Sequence, residues 1–162
     1  MLLQECVLCA FHIGKLAISM PRMLTGNVER IRAVVASAEA LGVPRSSGMF
    51  RHALKSVALR SEEKIAPKVE YLKKALRWSD AEVRIALSKG PHLLVRSKDM
   101  MPRRSEFLVF EVGLEPSYIA HRLGLLTFSL EGRLRPRYYV MKFLKENGLL
   151  KRAPSYSAYQ VH

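Results

Sequence analysis

The stretch Ser129–Leu150, SLEGRLRPRYYVMKFLKENGLL, decides the fold class. Ser129 offers a capping hydroxyl at a helix start. Pro136 fits the first turn of a helix, where its missing N–H has no partner to lose. Phe143 and Leu144 belong to the apolar stripe of the helix that follows, and Asn147-Gly148 supplies a left-handed stop. The stretch predicts a short helical turn, a longer proline-started helix and a glycine cap. Arg133, Arg135 and Arg137 gather at the junction.

The same layout recurs upstream at a fixed interval. Gly42, Arg77, Gly113 and Gly148 are separated by 35, 36 and 35 residues, with Arg77 standing where the others have glycine. Leu24, Leu59, Leu94 and Phe128 follow at 35, 35 and 34, and Pro67, Pro102 and Pro136 at 35 and 34. The pairs Tyr71-Leu72, Phe107-Leu108 and Phe143-Leu144 recur every 36. A unit of two or three short helices cannot bury its own apolar face, so repeats of this kind stack. The expected fold is all-α, a superhelical solenoid of about four units of ~35 residues, the first one partial. Residues 1–150 form the repeat domain, and 151–162, which lack any period, form a mobile tail.

Local signals fill in the helices. Residues 3–18 carry an apolar pattern on most of a helix circumference, ended by Pro21. Asn27 caps a helix with Val28, Ile31, Val34, Val35, Ala38 and Leu41 inward, stopped by Gly42. Pro44 opens the next, with Met49, Phe50, Ala53, Leu54 and Val57 inward. Ser61 with Glu62 and Glu63 starts another, and Ser79-Asp80-Ala81-Glu82 is a capping box. Phe107 to Val112 forms an apolar helix closed by Gly113, and a helix from Glu115-Pro116 ends at Gly124. No alternating strand pattern occurs.

The 162 residues carry 27 Lys plus Arg against 14 Asp plus Glu, a net charge of +13. Such an excess favours polyanions, nucleic acid before an anionic membrane surface. No run is apolar enough to span a bilayer, because Gln4, Glu5, His12 and Lys15 interrupt the best candidate. No signal or transit peptide is visible in this chain. Cys6 and Cys9, with His12 nearby, lack the further ligand a structural zinc site needs and read as small core residues. No histidine pairs with a nucleophile or a carboxylate cluster, and no Gly-rich phosphate loop exists, so neither an enzyme nor a cofactor is expected.

The period also aligns cations. Lys68 follows Pro67, Arg103 follows Pro102, Arg137 follows Pro136, and Arg32 falls about one period before Lys68. Residues repeating at a solenoid's period share one face, and such a ladder suits a phosphate backbone. A cation in a helix's first turn opposes the macrodipole, which favours a functional reason for it. Arg60, Arg96, Arg104, Arg133 and Arg135 sit in the same junctions and are secondary candidates. Tyr138 and Tyr139 offer rings for stacking, although one of such a pair is expected to pack inward.

The repeat resembles that of the mitochondrial transcription termination factor (mTERF) family over about residues 18–150. The carrying residues are Pro21-Arg22-Met23-Leu24, Gly90-Pro91-His92-Leu93-Leu94, Leu72 through Ser79, Phe107 through Leu114 and, most specifically, Ser129 to Leu150. Arg77-Trp78-Ser79 replaces the usual Gly-Leu-Ser, Ser56 a usual proline, and Leu125-Leu126 stands where a proline is common. The resemblance, to a plant-like member, implies a mitochondrial or chloroplast protein whose precursor carries a transit peptide. It implies binding of double-stranded DNA and regulation of organellar transcription, including termination. RNA binding in intron splicing or ribosome assembly is the alternative, and a protein-binding scaffold a third. Partners would be double-stranded DNA or structured RNA, with proteins of organelle gene expression beside them. No small-molecule substrate and no membrane are expected.

Overall fold

The computed structural model describes residues 17–25, 27–60, 62–97 and 100–150. The expected helix over residues 3–18 (except its last two residues), the Cys6/Cys9/His12 group, the Ser61 cap and the 151–162 tail lie outside these residues. Among the described residues every regular element is helical. The chain divides into two compact units, Met1–Ser97 and Lys98–His162.

The first unit contains α1 (Pro21–Leu24), α2 (Val28–Ala40), α3 (Phe50–Leu59), α4 (Glu62–Leu76), α5 (Asp80–Lys89) and a 3-10 turn (Pro91–Leu94). Asn27 starts α2 as its sequence predicts, its side-chain oxygen accepting from the Glu29 N–H at 3.1 Å. Val34, Val35 and Ala38 face the core, whereas Val28, in the first turn, is exposed. Ile18, expected inward, is also exposed. Helix α3 begins at Phe50 and not at Pro44. The residues between form tight turns, with the Ser47 N–H on the Pro44 carbonyl and the Phe50 N–H on the Ser47 carbonyl, each at 2.9 Å. Phe50, Ala53 and Leu54 are fully buried. Removing a Phe or Leu side chain from water contributes roughly 1.5–3 kcal/mol.

Helix α4 runs through Pro67, which leaves one carbonyl without its helical partner but does not end the helix. The Ser79 capping box is complete: Ser79 Oγ accepts from the Glu82 N–H at 3.3 Å, and Glu82 Oε2 accepts from the Ser79 N–H at 2.7 Å. The 3-10 turn packs against α3, α4 and α5. Leu93 and Leu94 on it are fully buried, so this short turn is the hub of the unit.

The second unit contains α6 (Met100–Glu106), which widens into a π-helical segment (Phe107–Glu111), then α7 (Pro116–His121) and α8 (Gly124–Thr127). A second π-helical segment (Leu130–Leu134) leads into α9 (Arg135–Glu146). Ser129 Oγ accepts from the Gly132 N–H at 2.9 Å, as its capping role requires. The apolar run at Phe107 is therefore not a separate helix but the continuation of α6. Gly124 opens α8 and does not close α7. The break falls two residues earlier, at Arg122, whose N–H turns back to the Ile119 carbonyl at 3.0 Å. Met101, Phe107, Leu108, Leu114, Ile119, Leu125, Leu126, Leu130 and Leu134 make the core.

Four residues hold a left-handed backbone after a helix: Gly42 (φ 81°), Arg77 (φ 55°), Gly113 (φ 79°) and Gly148 (φ 66°). They are the four positions that the sequence period marks. Around Gly148 the closure is a full Schellman pair, with Leu149 N–H on the Leu144 carbonyl at 2.9 Å and Gly148 N–H on the Lys145 carbonyl at 3.1 Å. Arg77 is the one described non-glycine residue with positive φ. Its closure keeps the Schellman bond from the Trp78 N–H to the Lys73 carbonyl at 3.0 Å.

The residue after each left-handed position is apolar. Val43, Trp78 and Leu114 are 1%, 4% and 4% exposed, but Leu149 is 63% exposed. Phe143, expected in the core, is 59% exposed, while its period-mate Phe107 is 3%. Helix α9 buries none of its residues completely. Burial of an apolar position needs a neighbour to cover it, and among the described residues none covers that side of α9.

Candidate nucleic-acid interface

The candidate cations fall into both units. In the first, Arg32 projects from α2 into solvent and pairs with Glu29 at 3.3 Å, one helical turn away. Such an exposed pair is worth at most about 1 kcal/mol, so a phosphate can displace the glutamate. Arg60 caps the end of α3 and is half-buried.

Lys68 departs from the expected ladder. It is 1% exposed, its Nζ donates to the Arg96 carbonyl at 2.8 Å, and it lies 5.0 Å over the Tyr71 ring. The period placed it correctly on the repeat but could not give its direction. It points inward because the Arg96 carbonyl, just past the 3-10 turn, accepts its proton. Burying an ammonium requires such a partner. Lys68 thus clamps α4 to the end of the hub turn. Arg96 contributes its backbone to that clamp, and its half-buried side chain lies near His92. The His92 imidazole titrates below the ordinary histidine value because of burial first, then the charges of Arg96 and His52.

In the second unit, Pro102 occupies the first turn of α6, where a helix has no use for its N–H. Arg103 follows it and is exposed. Arg104 turns inward, donating through Nη1 to the Leu126 carbonyl at 2.8 Å, and so fastens α6 to α8. Arg133 is exposed and lies 5.4 Å over the Phe128 ring. Arg135 donates to Glu131 at 2.8 Å, stands 4.0 Å from Glu111 and lies 5.8 Å from the centre of Phe107. Its Nε is buried without a hydrogen-bond partner. Arg135 is therefore a pin between α9, its preceding π turn and Glu111. Arg137 is half-buried on α9.

Arg103 and Arg135 meet at one shallow cavity of about 230 Å³, which Glu106, Phe107, Phe110, Glu111 and Leu130 also line. The acids in this place were not legible as part of the site. Glu111 is the organiser: its carbonyl accepts from the Tyr138 hydroxyl at 2.7 Å and its carboxylate from the Tyr139 hydroxyl at 3.2 Å. That carboxylate, by its hydrogen bond and then its charge, holds the Tyr139 phenol above its ordinary range. Tyr138 packs edge-on to Phe107 with ring centres 5.6 Å apart, the inward member of the pair, and Tyr139 keeps half its surface in solvent.

The exposed cations, Arg32, Arg103 and Arg133, can neutralise phosphates without rearranging the fold. Lys68, Arg104 and Arg135 already hold it together. Phosphate contacts position a polyanion and do not read its sequence. Among the described residues no three His, Cys, Asp or Glu side chains group as a metal site would require.

The mTERF family model matches residues 1–159. The chain belongs to the mTERF family. Neither a curated protein nor a solved structure matches it. mTERF proteins are organellar regulators that bind nucleic acid and are not enzymes. The all-helical elements and the basic balance of +13 agree with that membership. No helix among the described residues is long and apolar enough to cross a membrane.

Proposed function

We propose that this mTERF protein binds double-stranded DNA in a mitochondrion or chloroplast and regulates transcription there, including its termination. The observation that carries this reading is family membership over nearly the whole chain combined with a net charge of +13. In this reading residues 1–150 are one domain of about four ~35-residue units stacked as a superhelix, followed by a short tail. The left-handed closures at Gly42, Arg77, Gly113 and Gly148 support the four-unit register. Arg32, Arg103, Arg133 and Arg137 contact phosphates, with Arg60 and Arg96 at the margins. Lys68, Arg104 and Arg135 support the surface from beneath. A protein gripping a duplex through its backbone obstructs an advancing polymerase without any chemistry of its own.

The test is a mobility-shift titration with a duplex, a structured RNA and a single strand at salt concentrations from about 50 to 200 mM, a range over which phosphate-driven binding weakens steeply. Duplex binding should exceed the other two, and Arg103→Ala with Arg137→Ala should flatten the salt slope by about one unit per lost phosphate contact. Preference for the structured RNA transfers the function to splicing or ribosome assembly. Absence of binding to every polyanion at low salt overturns the reading.

A further inference from the structure

The cavity between Arg103 and Arg135 has a lining that phosphate binding does not explain. It lies within the second unit, and both π-helical segments reach it: Phe107, Phe110 and Glu111 from the first, Leu130 from the second. Single widened turns of this kind occur frequently at functional sites. Phe107 is buried, whereas Phe110 keeps 64% of its surface in solvent. Among the described residues, the side chains of Arg103 and Glu106 take no hydrogen bond or ion pair, not even with each other. Two carboxylates, Glu106 and Glu111, line the cavity and repel a phosphate from its interior. A volume of about 230 Å³ admits one flat ring system and no large ligand.

We propose that this cavity takes an unpaired guanine base of a nucleic acid, stacked on Phe110 and read by the Glu106 carboxylate. The inference rests on the nucleic-acid reading above and adds base recognition to its phosphate contacts. Guanine N1–H and its N2 amino group are parallel donors, matched to the two oxygens of one carboxylate. Adenine and cytosine set an acceptor nitrogen beside their single amino group, and uracil and thymine flank one N–H with two carbonyls. Each of those acceptors would face the carboxylate unpaired, which weakens binding. Arg135 lines the same cavity and suits the O6 carbonyl beside N1. Exposed Arg103 serves the phosphate of the same nucleotide. Pairing in a duplex occupies this edge of guanine, so only an unpaired base can present it. A peptide arginine offers similar paired donors, but its charge would meet those of Arg103 and Arg135.

The probes are a hairpin duplex with a single bulged guanine, the same hairpin with a bulged adenine, inosine or pyrimidine, and the hairpin without a bulge, each in RNA and in DNA. Mobility-shift titrations with the full chain should show the guanine bulge bound roughly tenfold or more tighter than the adenine bulge. Inosine keeps N1–H but lacks the N2 amino group, and should fall between the two. Glu106→Gln should erase the preference for guanine over adenine. Phe110→Ala should weaken binding of the guanine bulge by about tenfold, as loss of a stacking ring does. Both side chains are exposed, so both variants should melt within about 1 °C of the parent. A guanine preference confined to RNA or to DNA supports the cavity and identifies the strand that supplies the base. Equal affinity for every bulge, with the hairpins still bound, overturns this proposal and leaves the phosphate reading standing. A guanine preference that survives Glu106→Gln overturns it too. Absence of binding to every hairpin at low salt overturns both.

Discussion

Replacing Arg77 by glycine should stabilise the protein, and the comparison with alanine isolates why. Arg77 holds φ 55° at a position where three period-mates are glycines with φ between 66° and 81°. A Cβ in the left-handed region costs about 1–2 kcal/mol. Glycine returns about 0.4–1 kcal/mol of that through the greater freedom of the unfolded chain. Glycine should thus exceed alanine here by roughly 0.5–1 kcal/mol, the reverse of their order inside a helix. Both variants lack the arginine side chain, so its own contacts cancel from the difference. For a chain of this length the gap corresponds to about 1–4 °C in melting temperature. Thermal melts followed by circular dichroism of Arg77→Gly and Arg77→Ala measure it. Gly113→Ala is the converse, because a Cβ there meets nothing within 4 Å and only the backbone resists it. An Arg77→Ala protein that melts at or above Arg77→Gly would refute the reasoning.

Three further outcomes follow from the same structure. Ser79→Ala removes half of the capping box and should cost about 1 kcal/mol in urea unfolding. Lys68→Ala leaves the Arg96 carbonyl without its buried donor and should cost about 2–3 kcal/mol, while the salt slope of nucleic-acid binding stays as in the parent. The His92 imidazole is held below the ordinary value of 6.5, so the unfolded chain binds the proton more readily. Stability should be fully present above that pH and fall as pH drops beneath it. Urea midpoints across this range should show the loss, and His92→Gln should flatten it.

Punctuation was the most legible layer of the sequence. Asn27, Ser79 and Ser129 cap helices through their own side chains, and such contacts span only two or three residues. The left-handed closures were legible for the same reason, even at Arg77, where the period outvoted the residue type. Direction was less legible. Lys68 and Arg103 occupy equivalent places after a proline, yet one is buried and the other exposed. The difference is an acceptor 28 residues away, which no local pattern contains. Phe143 shows the same limit from the other side. Its spacing is that of a core residue, but a core residue is buried only when something else arrives. Of the candidate site, the sequence located the basic junctions but not Glu111, whose carbonyl and carboxylate orient both tyrosines.

The two π-helical turns bear on how much change in length this chain tolerates. In each, an amide reaches back five residues and not four: Val112 to Phe107 at 3.1 Å and Leu134 to Ser129 at 3.0 Å. A π turn holds one residue more than the α turn it replaces. Loss of a residue such as Val109 inside Phe107–Glu111 tightens the turn to α geometry and returns Gly113 and Leu114 to the same side of the core. The same loss within Val28–Ala40 has no slack to consume. It swings every later side chain by about 100° and takes Val34 and Ala38 out of the core. The wide turns are the places where a repeat can lose one residue while its contacts hold.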